Sequence, residues 1–235
     1  MIYNCFWEHN NDDTLLYSLD YPGAYTRGKS LKEAMQKMPD EIRSFILWSG
    51  HTCLDEQISI QVTEEKISAL NICDADSDAI FQCETSPLKP KEYSVLKRLA
   101  LKSAEDFFSL YNSIPNKDIG CLPNRETFYG SVPRTATEMY EHTKNVNNYY
   151  FGEIGIKCDN DGDIVACRKR GFDLLEKTSD FLNNTPTLGS YDETWSLKKC
   201  FRRFIWHDRI HAKAMYRMAI KLFGSDIPDV FHFKI

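Results

Sequence analysis

The sequence is poor in the features that mark membrane-spanning, collagen-like and nucleic-acid-binding chains. Its 235 residues include only 9 prolines and 11 glycines, and no apolar run approaches the length of a membrane span. Basic residues are not in excess: the formal net charge is -5, and no basic block or face is evident, which argues against a general binder of nucleic acid or membrane surfaces. The first residues lack a basic segment followed by an apolar run, so we expect no signal peptide and a cytoplasmic protein.

The eight cysteines lack the spacing of a thiolate metal site. None of them forms a C-x-x-C pair, and the chain is too long and its cysteine spacings too irregular for a small disulfide-stapled scaffold. We therefore expect most of them to be reduced and partly buried. With 42% hydrophobic and 27% charged residues, the chain has ample core for one large domain or two modest ones.

Residues 1–86 have the pattern of a small β-rich domain with one helix. Short aromatic and aliphatic runs, separated by polar or proline–glycine turns, predict strands over 2–8, 14–19, 24–27, 57–62, 67–72 and 79–84. Ser30 and Glu33 form the capping box expected at a helix start. An apolar stripe then predicts a helix as far as Trp48, which Pro39 would kink or interrupt.

This region resembles the N-terminal domain of HicB-like antitoxins. In that family a strand, a proline–glycine turn, another strand and a helix start of the form G-x-S/T-x-x-E-A follow one another. The matching residues, within 1–50, are Pro22, Gly23, Gly28, Ser30, Glu33 and Ala34. The resemblance implies a small α/β domain that binds a protein partner, usually a small ribonuclease, although the DNA-binding tail of many relatives is missing. The other interpretation is a small α/β scaffold with no such partner, since a fold does not fix a function.

Beyond residue 86 the chain is predicted to be helical. Two prolines at 86–90 discourage continuous structure and mark the boundary. Apolar stripes predict helices over 91–114, 135–151, 163–182 and 195–224, which favours a four-helix bundle with two long loops. Short basic runs at 97–102 and 198–203 are interpreted as solvated helix faces. The tail, 225–235, is expected to pack through Ile227, Val230, Phe231 and Phe233.

Three histidines lie on the predicted apolar stripes of this helical region. The stripe of the last helix consists of Leu197, Cys200, Phe204, His207, His211, Ala214 and Met218. The stripe of the second helix consists of Met139, His142, Val146 and Tyr149. Because His207 and His211 are four residues apart, both imidazoles leave the helix on the same side, where His142 could join them.

Three converging imidazoles would suit Zn, Ni, Fe, Co or Cu. Three protein ligands would leave a coordination position for water or substrate, as in catalytic centres. The alternative is that these are core histidines that only form hydrogen bonds. The other histidines, at edge, loop and tail positions, are interpreted as incidental: His9, His51 and His232.

The order of these residues resembles the DinB superfamily, also called DinB/YfiT-like proteins. The resemblance covers residues 90–224, and the matching residues are His142, Trp195, Ser196, His207 and His211. It implies a four-helix bundle, often dimeric, with a divalent metal on three histidines. Characterised relatives include S-transferases that use low-molecular-weight thiols and a thiol-dependent maleylpyruvate isomerase.

Two interpretations stay open for each of four further residues near the predicted site. Arg203, one turn before His207, would either meet an anionic substrate or lie at the surface. Glu138 would either orient His142 or remain an exposed helix carboxylate. Tyr149 and Trp206 are interpreted as packing or interface residues.

Together these interpretations predict an α+β protein. A HicB-like α/β domain at 1–86 precedes a DinB-like four-helix bundle at 90–224 and a tail at 225–235. We expect His142, His207 and His211 to bind a divalent metal ion (Zn, Ni, Fe or Mn), with a low-molecular-weight thiol as a further cofactor. Two functions stay open: a metal-dependent thiol S-transferase or related enzyme with unassigned catalytic residues, or a non-catalytic module that acts through the N-terminal domain on a protein partner. We expect the protein to form a homodimer and to act on a small-molecule substrate. We expect it to bind neither nucleic acid nor a membrane.

Overall fold

The computed structural model describes residues 1–52, 57–127 and 129–234. The protein is α+β, as predicted: a four-stranded mixed sheet with one helix precedes a helical region. The chain divides into two units by its internal contacts. Unit 1 contains Met1–Cys83 and Phe231–Ile235, and unit 2 contains Glu84–Val230. None of the helices in the described residues is long and apolar enough to cross a membrane.

The sheet of unit 1 has four strands in the order β3-β2-β1-β4. They are β1 (Ile2–His9), β2 (Thr14–Ser18), β3 (Tyr25–Gly28) and β4 (Ser59–Ile67). The first three form an antiparallel meander, and β4 pairs parallel to β1. The turn between β1 and β2 is held by the Asn10 side chain, which accepts the backbone N–H groups of Asp12 and Asp13.

The helix of unit 1, α1 (Leu31–Trp48), covers one face of this sheet. The predicted Ser30 cap is confirmed: its hydroxyl accepts the backbone N–H of Glu33 at 3.3 Å, whereas the Glu33 carboxylate accepts the backbone N–H of Lys29 instead of that of Ser30. Pro39 lies inside the helix and does not interrupt it. Proline removes only one backbone hydrogen bond, and the buried apolar face of α1 spans both sides of it. The core that α1 and the sheet share contains Tyr3, Cys5, Leu16, Ala34, Met38, Ile42 and Ile46.

Two predicted strands of unit 1, 67–72 and 79–84, were wrong. The structure has instead one longer strand, β4, followed by short 3-10 turns at Ile72–Asp74 and Gln82–Thr85. The predicted strand ended at Val62, but β4 is only partly covered, with exposed and half-buried residues alternating along it. Its polar residues therefore remain within the strand and pair with β1.

The end of the chain belongs to unit 1. Phe231 is fully buried and stacks on Trp48 at 5.6 Å between ring centroids. The Ser44 hydroxyl donates to the Phe231 carbonyl at 3.2 Å, and Lys234 pairs with Asp40 at 2.9 Å. The predicted packing of Phe231 and Phe233 is confirmed, because both are buried.

Unit 2 contains four helices: α2 (Pro90–Ser113), α3 (Ala136–Glu153), α4 (Ile164–Leu175) and α5 (Leu197–Phe223). Helices α2 and α3 each pack against both α4 and α5, and α2 and α3 also contact each other. Two short hairpins lie in the loops: β5 (Glu126–Thr127) with β6 (Gly130–Ser131), and β7 (Thr187–Leu188) with β8 (Thr194–Trp195).

Three of these helices begin at a residue whose side chain forms an N-cap. Thr135 and Glu138 form a reciprocal capping box at α3, Asp163 caps α4, and Ser196 caps α5. Helix α4 ends at Leu175, before the predicted 182, and the polar residues that follow lead into a 3-10 turn at Phe181–Asn183.

Candidate metal centre

Helix α5 is buried around most of its circumference. Besides the predicted stripe, the buried residues of this helix include charged ones, among them Lys199, Arg202, Asp208 and Arg209. The interpretation of 198–203 as a solvated face was therefore wrong for Lys199 and Arg202. Lys199 pairs with Glu193 at 2.8 Å, and Arg202 binds Glu84 through two nitrogens at 2.5 and 3.1 Å. These ion pairs allow the cations to be buried.

The buried stripe of α3 is rotated relative to the predicted one. Its central residues are Tyr140, Thr143, Asn147 and Tyr150, and His142 lies half-buried beside them. On α5, His207 is 9% exposed, whereas His211 is half-buried. The three histidines thus lie at the edge of the contact between α3 and α5, and His207 is the most buried of them.

The structure brings His142, His207 and His211 together. Each ring offers one nitrogen atom as a ligand, and these three atoms all lie within 4.8 Å of one another. The Nε2 atoms of His142 and His207 are 3.2 Å apart. The ring centroids of His211 lie 4.7 Å from that of His142 and 4.6 Å from that of His207. The sequence placed two of these rings on one helix face, and the packing of α3 on α5 adds the third.

The 3.2 Å separation matches two ligands of one metal ion. Nitrogens about 2.0–2.1 Å from a common ion, at tetrahedral or octahedral angles, are about 2.8–3.4 Å apart. An N–H···N hydrogen bond between His142 and His207 has the same length, because either ring can be the donor. Such a bond accounts for two rings, but it gives no reason for the third ring at equal distance from both.

All three imidazoles are held in the neutral form that binds metal. Burial lowers the pKa of His142 below its ordinary value of 6.5. Burial, and then the neighbouring His142, lower the pKa of His211 to about 3. Burial lowers the pKa of His207 well below 6.5, and the charges of His211 and His142 act in the same direction. A neutral imidazole presents a lone pair to a metal, so this donor set fits a divalent ion of the transition series.

The ring of His207 is oriented by packing. Its Nδ1 atom is buried and has no hydrogen-bond partner among the described residues. The ring of Tyr150 meets it edge-on at 6.1 Å. Among the described residues, His207 therefore has no carboxylate of the kind that often orients a metal-binding histidine. Glu138 does not fill this role, because its carboxylate accepts the backbone N–H groups of Arg134 and Thr135 in the capping box.

A fully buried polar network lies directly behind the histidines. Asp208, the residue after His207, binds the Arg168 guanidinium through both carboxylate oxygens, at 2.5 and 3.0 Å. Arg168 also donates to Asn147 at 2.9 Å, and Ser103 donates to Asp208 at 2.5 Å. The network joins α2, α3, α4 and α5. No sequence pattern indicates this network, because a charged residue inside a stripe looks the same as one on a solvated face until its partner is known.

The remaining candidates are spread over both units. Arg203 lies among aromatic rings of unit 2 and is half-buried. Tyr149 packs against Tyr150 and Trp195, as its interpretation as a packing residue requires. In unit 1, His9 contacts Glu65 and His51 contacts Ser49.

The stability of the metal-free protein should fall as the pH is lowered from about 6.5 toward 3. The folded-state pKa of His211 lies below the unfolded value of 6.5, so the unfolded chain binds more protons in this window and acid favours unfolding. Each histidine that stays neutral contributes a loss of at most about 1.4 kcal/mol per pH unit. Denaturant unfolding at pH 7, 6 and 5 measures the slope. The variant His211→Gln should show a shallower slope, and an equal slope would contradict this origin.

No protein-family model matches this chain, and comparisons with curated proteins and with solved structures found no match either.

Proposed function

We propose that unit 2 binds one divalent metal ion through His142, His207 and His211. The observation that supports this most directly is the convergence of three neutral imidazoles, two of them with facing Nε2 atoms at 3.2 Å. The ion would also relieve the close approach of these lone pairs. When bound, such an ion supplies Lewis acidity that lowers the pKa of a thiol or water ligand.

The number and placement of the ligands favour a reactive centre over a structural one. Structural zinc sites have four protein ligands, whereas the described residues offer three here. His142 and His211 are only half-buried, so the cluster is accessible at its edge. The protein itself would hold the three imidazole rings in the neutral form and exclude water on the His207 side.

The reaction class that we propose is transfer by a metal-dependent enzyme of the DinB type, such as a thiol S-transferase. The support is the resemblance over 90–224: one histidine on α3, Trp195 and Ser196 at the start of α5, and the histidine pair within it. The bundle of α2 to α5 and the Ser196 cap are compatible with this proposal. A small thiol would be the second substrate or cofactor.

Metal content tests the proposed site. Protein purified without a polyhistidine tag and supplied with Zn, Ni, Mn and Fe should retain about one ion per chain, because three imidazoles bind transition metals firmly. Elemental analysis after gel filtration measures the ratio. Less than about 0.2 ion per chain for every metal would reject a three-imidazole site.

Turnover separates the enzyme from a non-catalytic metal protein. The metal-loaded protein should conjugate a small thiol to an electrophile, and this activity should be absent in His207→Ala. Release of product at the same rate by wild type and variant would show that the conjugation is uncatalysed.

A second candidate function is partner binding by unit 1. Its support is the HicB-like order of strand, Pro22–Gly23 turn, strand and Ser30-capped helix, now seen as β2, β3 and α1. Affinity capture with the full chain is the suitable test, because removing the last residues would delete the buried Phe231. One small protein bound in stoichiometric amount supports this function if it is lost when Gln61 and Thr63, exposed residues of β4, are replaced by arginine. Recovery of no stoichiometric partner contradicts it.

A further inference from the structure

The Arg168 guanidinium connects the two helices that carry the three histidines. Its Nε atom donates to the Asn147 side-chain oxygen of α3 at 2.9 Å, and its two terminal nitrogens donate to both carboxylate oxygens of Asp208 on α5 at 2.5 and 3.0 Å. Arg168, Asn147 and Asp208 are fully buried. A planar guanidinium of fixed dimensions therefore spans the distance from α3 to α5.

These contacts lie close to the histidines along both helices. Asp208 directly follows His207, and Asn147 follows His142 by five residues, which is less than two helical turns. The same guanidinium also lies over the ring of Phe204 on α5, whose centroid is 4.2 Å from the guanidinium carbon. The orientation of the guanidinium is thus fixed by α5, and Asn147 is its hydrogen-bond partner on α3.

The spacing of the histidine nitrogens is sensitive to how α3 is placed against α5. The Nε2 atoms of His142 and His207 are 3.2 Å apart, and ligand distances in a metal site tolerate a deviation of only about 0.2 Å. A rotation or slide of α3 by about 1 Å would move His142 out of this range. His207 and His211 would stay together, because α5 carries both of them.

We propose that Arg168 and Asn147 are positioning residues of the metal centre: their hydrogen bond fixes α3 against α5 and keeps His142 within ligand distance of the ion. This inference rests on the proposed metal site and adds the interaction that arranges its ligands before the ion binds. His142 is the ligand that depends on it, because His142 is the one on α3. Residues that orient ligands in this way contribute about 10–100-fold to metal affinity.

Asn147→Ala tests the inference, because it removes the contact with α3 and leaves the Arg168–Asp208 ion pair in place. Co(II) is titrated into the full-length protein, and its visible spectrum reports binding. We expect the affinity of Asn147→Ala for Co(II) to be about 10–100-fold lower than that of the wild type. Asn147→Asp keeps an oxygen acceptor for the Arg168 Nε atom in a side chain of the same shape, so it should restore the affinity to within about 3-fold.

A double-mutant cycle with His142→Ala separates positioning from a general loss of structure. If Asn147 acts through His142, Asn147→Ala should change the Co(II) affinity by less than about 2-fold once His142 is replaced. Leu110→Ala is the control for destabilisation: it removes buried apolar volume from α2, is not part of the network, and should bind Co(II) as the wild type does. Asn147→Leu, which fills the vacated space, replaces the alanine variant if that fails to fold.

The outcomes distinguish this inference from the proposed metal site. Failure of the wild type to bind Co(II) overturns both. Unchanged affinity in Asn147→Ala and Asn147→Leu overturns the inference alone, and so does an equal loss of affinity with and without His142. A comparable loss in Leu110→Ala, or failure of Asn147→Asp to restore the affinity, shows that overall stability controls the site instead of this hydrogen bond, and it also overturns the inference.

Discussion

Asp208→Ala is expected to lower the free energy of unfolding of unit 2 by about 3–5 kcal/mol, the cost of breaking a buried ion pair from one side. Both side chains of the Arg168–Asp208 pair are completely buried. Without the carboxylate, the Arg168 guanidinium would remain in the interior with its charge uncompensated. Denaturant unfolding monitored by far-ultraviolet circular dichroism measures the change.

The size of this effect follows from how many elements meet at Arg168. Its donors reach Asn147 on α3, the Ala100 carbonyl on α2 and Asp208 on α5, while its guanidinium carbon lies 4.2 Å from the ring of Phe204. Loss of Asp208 also removes one of the two acceptors within reach of the Ser103 hydroxyl, the other being the Ala100 carbonyl. The unpaired groups would have no route to water without opening the bundle.

Two controls separate the charge effect from simple loss of volume. Asp173→Ala removes an exposed carboxylate from α4, and we expect it to change stability by no more than about 0.5 kcal/mol. The double variant Arg168→Met with Asp208→Leu removes both charges, and it should be more stable than Asp208→Ala. A loss below about 1 kcal/mol for Asp208→Ala would mean that the ion pair is not buried as described.

His207→Ala is expected to weaken metal binding by at least about 100-fold, beyond the 10–100-fold typical of residues that only orient a ligand. His207 is the most buried of the three histidines, and its Nε2 atom faces that of His142. Without the His207 ring, only two ligands would remain: His142 on α3 and His211 on α5. Competition with a chromophoric chelator measures the affinity.

The same variant should lose the stabilisation that metal confers. A ligand that binds only the folded state at a free concentration of 100 times its dissociation constant contributes about 2.7 kcal/mol. Zn or Ni should therefore raise the melting temperature of the wild type and leave that of His207→Ala almost unchanged. His51→Ala, an exposed histidine in unit 1, is the matched control and should respond to metal as the wild type does. An equal rise in His207→Ala would place the metal elsewhere.

Features that depend on neighbours along the chain could be predicted from the amino-acid sequence. The cap at Ser30 was predicted, because a capping side chain bonds to an N–H only three residues away. The spacing of His207 and His211 placed both rings on one face for the same reason: helix geometry depends only on separation along the chain. These local rules were sufficient for the α+β class and for most of the helices.

The burial of particular charged residues and the identity of the ring that completes the histidine cluster became evident from the folded structure alone. Lys199, Arg202 and Asp208 look like solvent-facing residues in the sequence, because their partners Glu193, Glu84 and Arg168 come from other elements. His142 reaches His207 because of the rotation of α3 against α5, which depends on side chains from both helices packing together. Interactions between segments far apart in the chain set both results, and no local pattern encodes them.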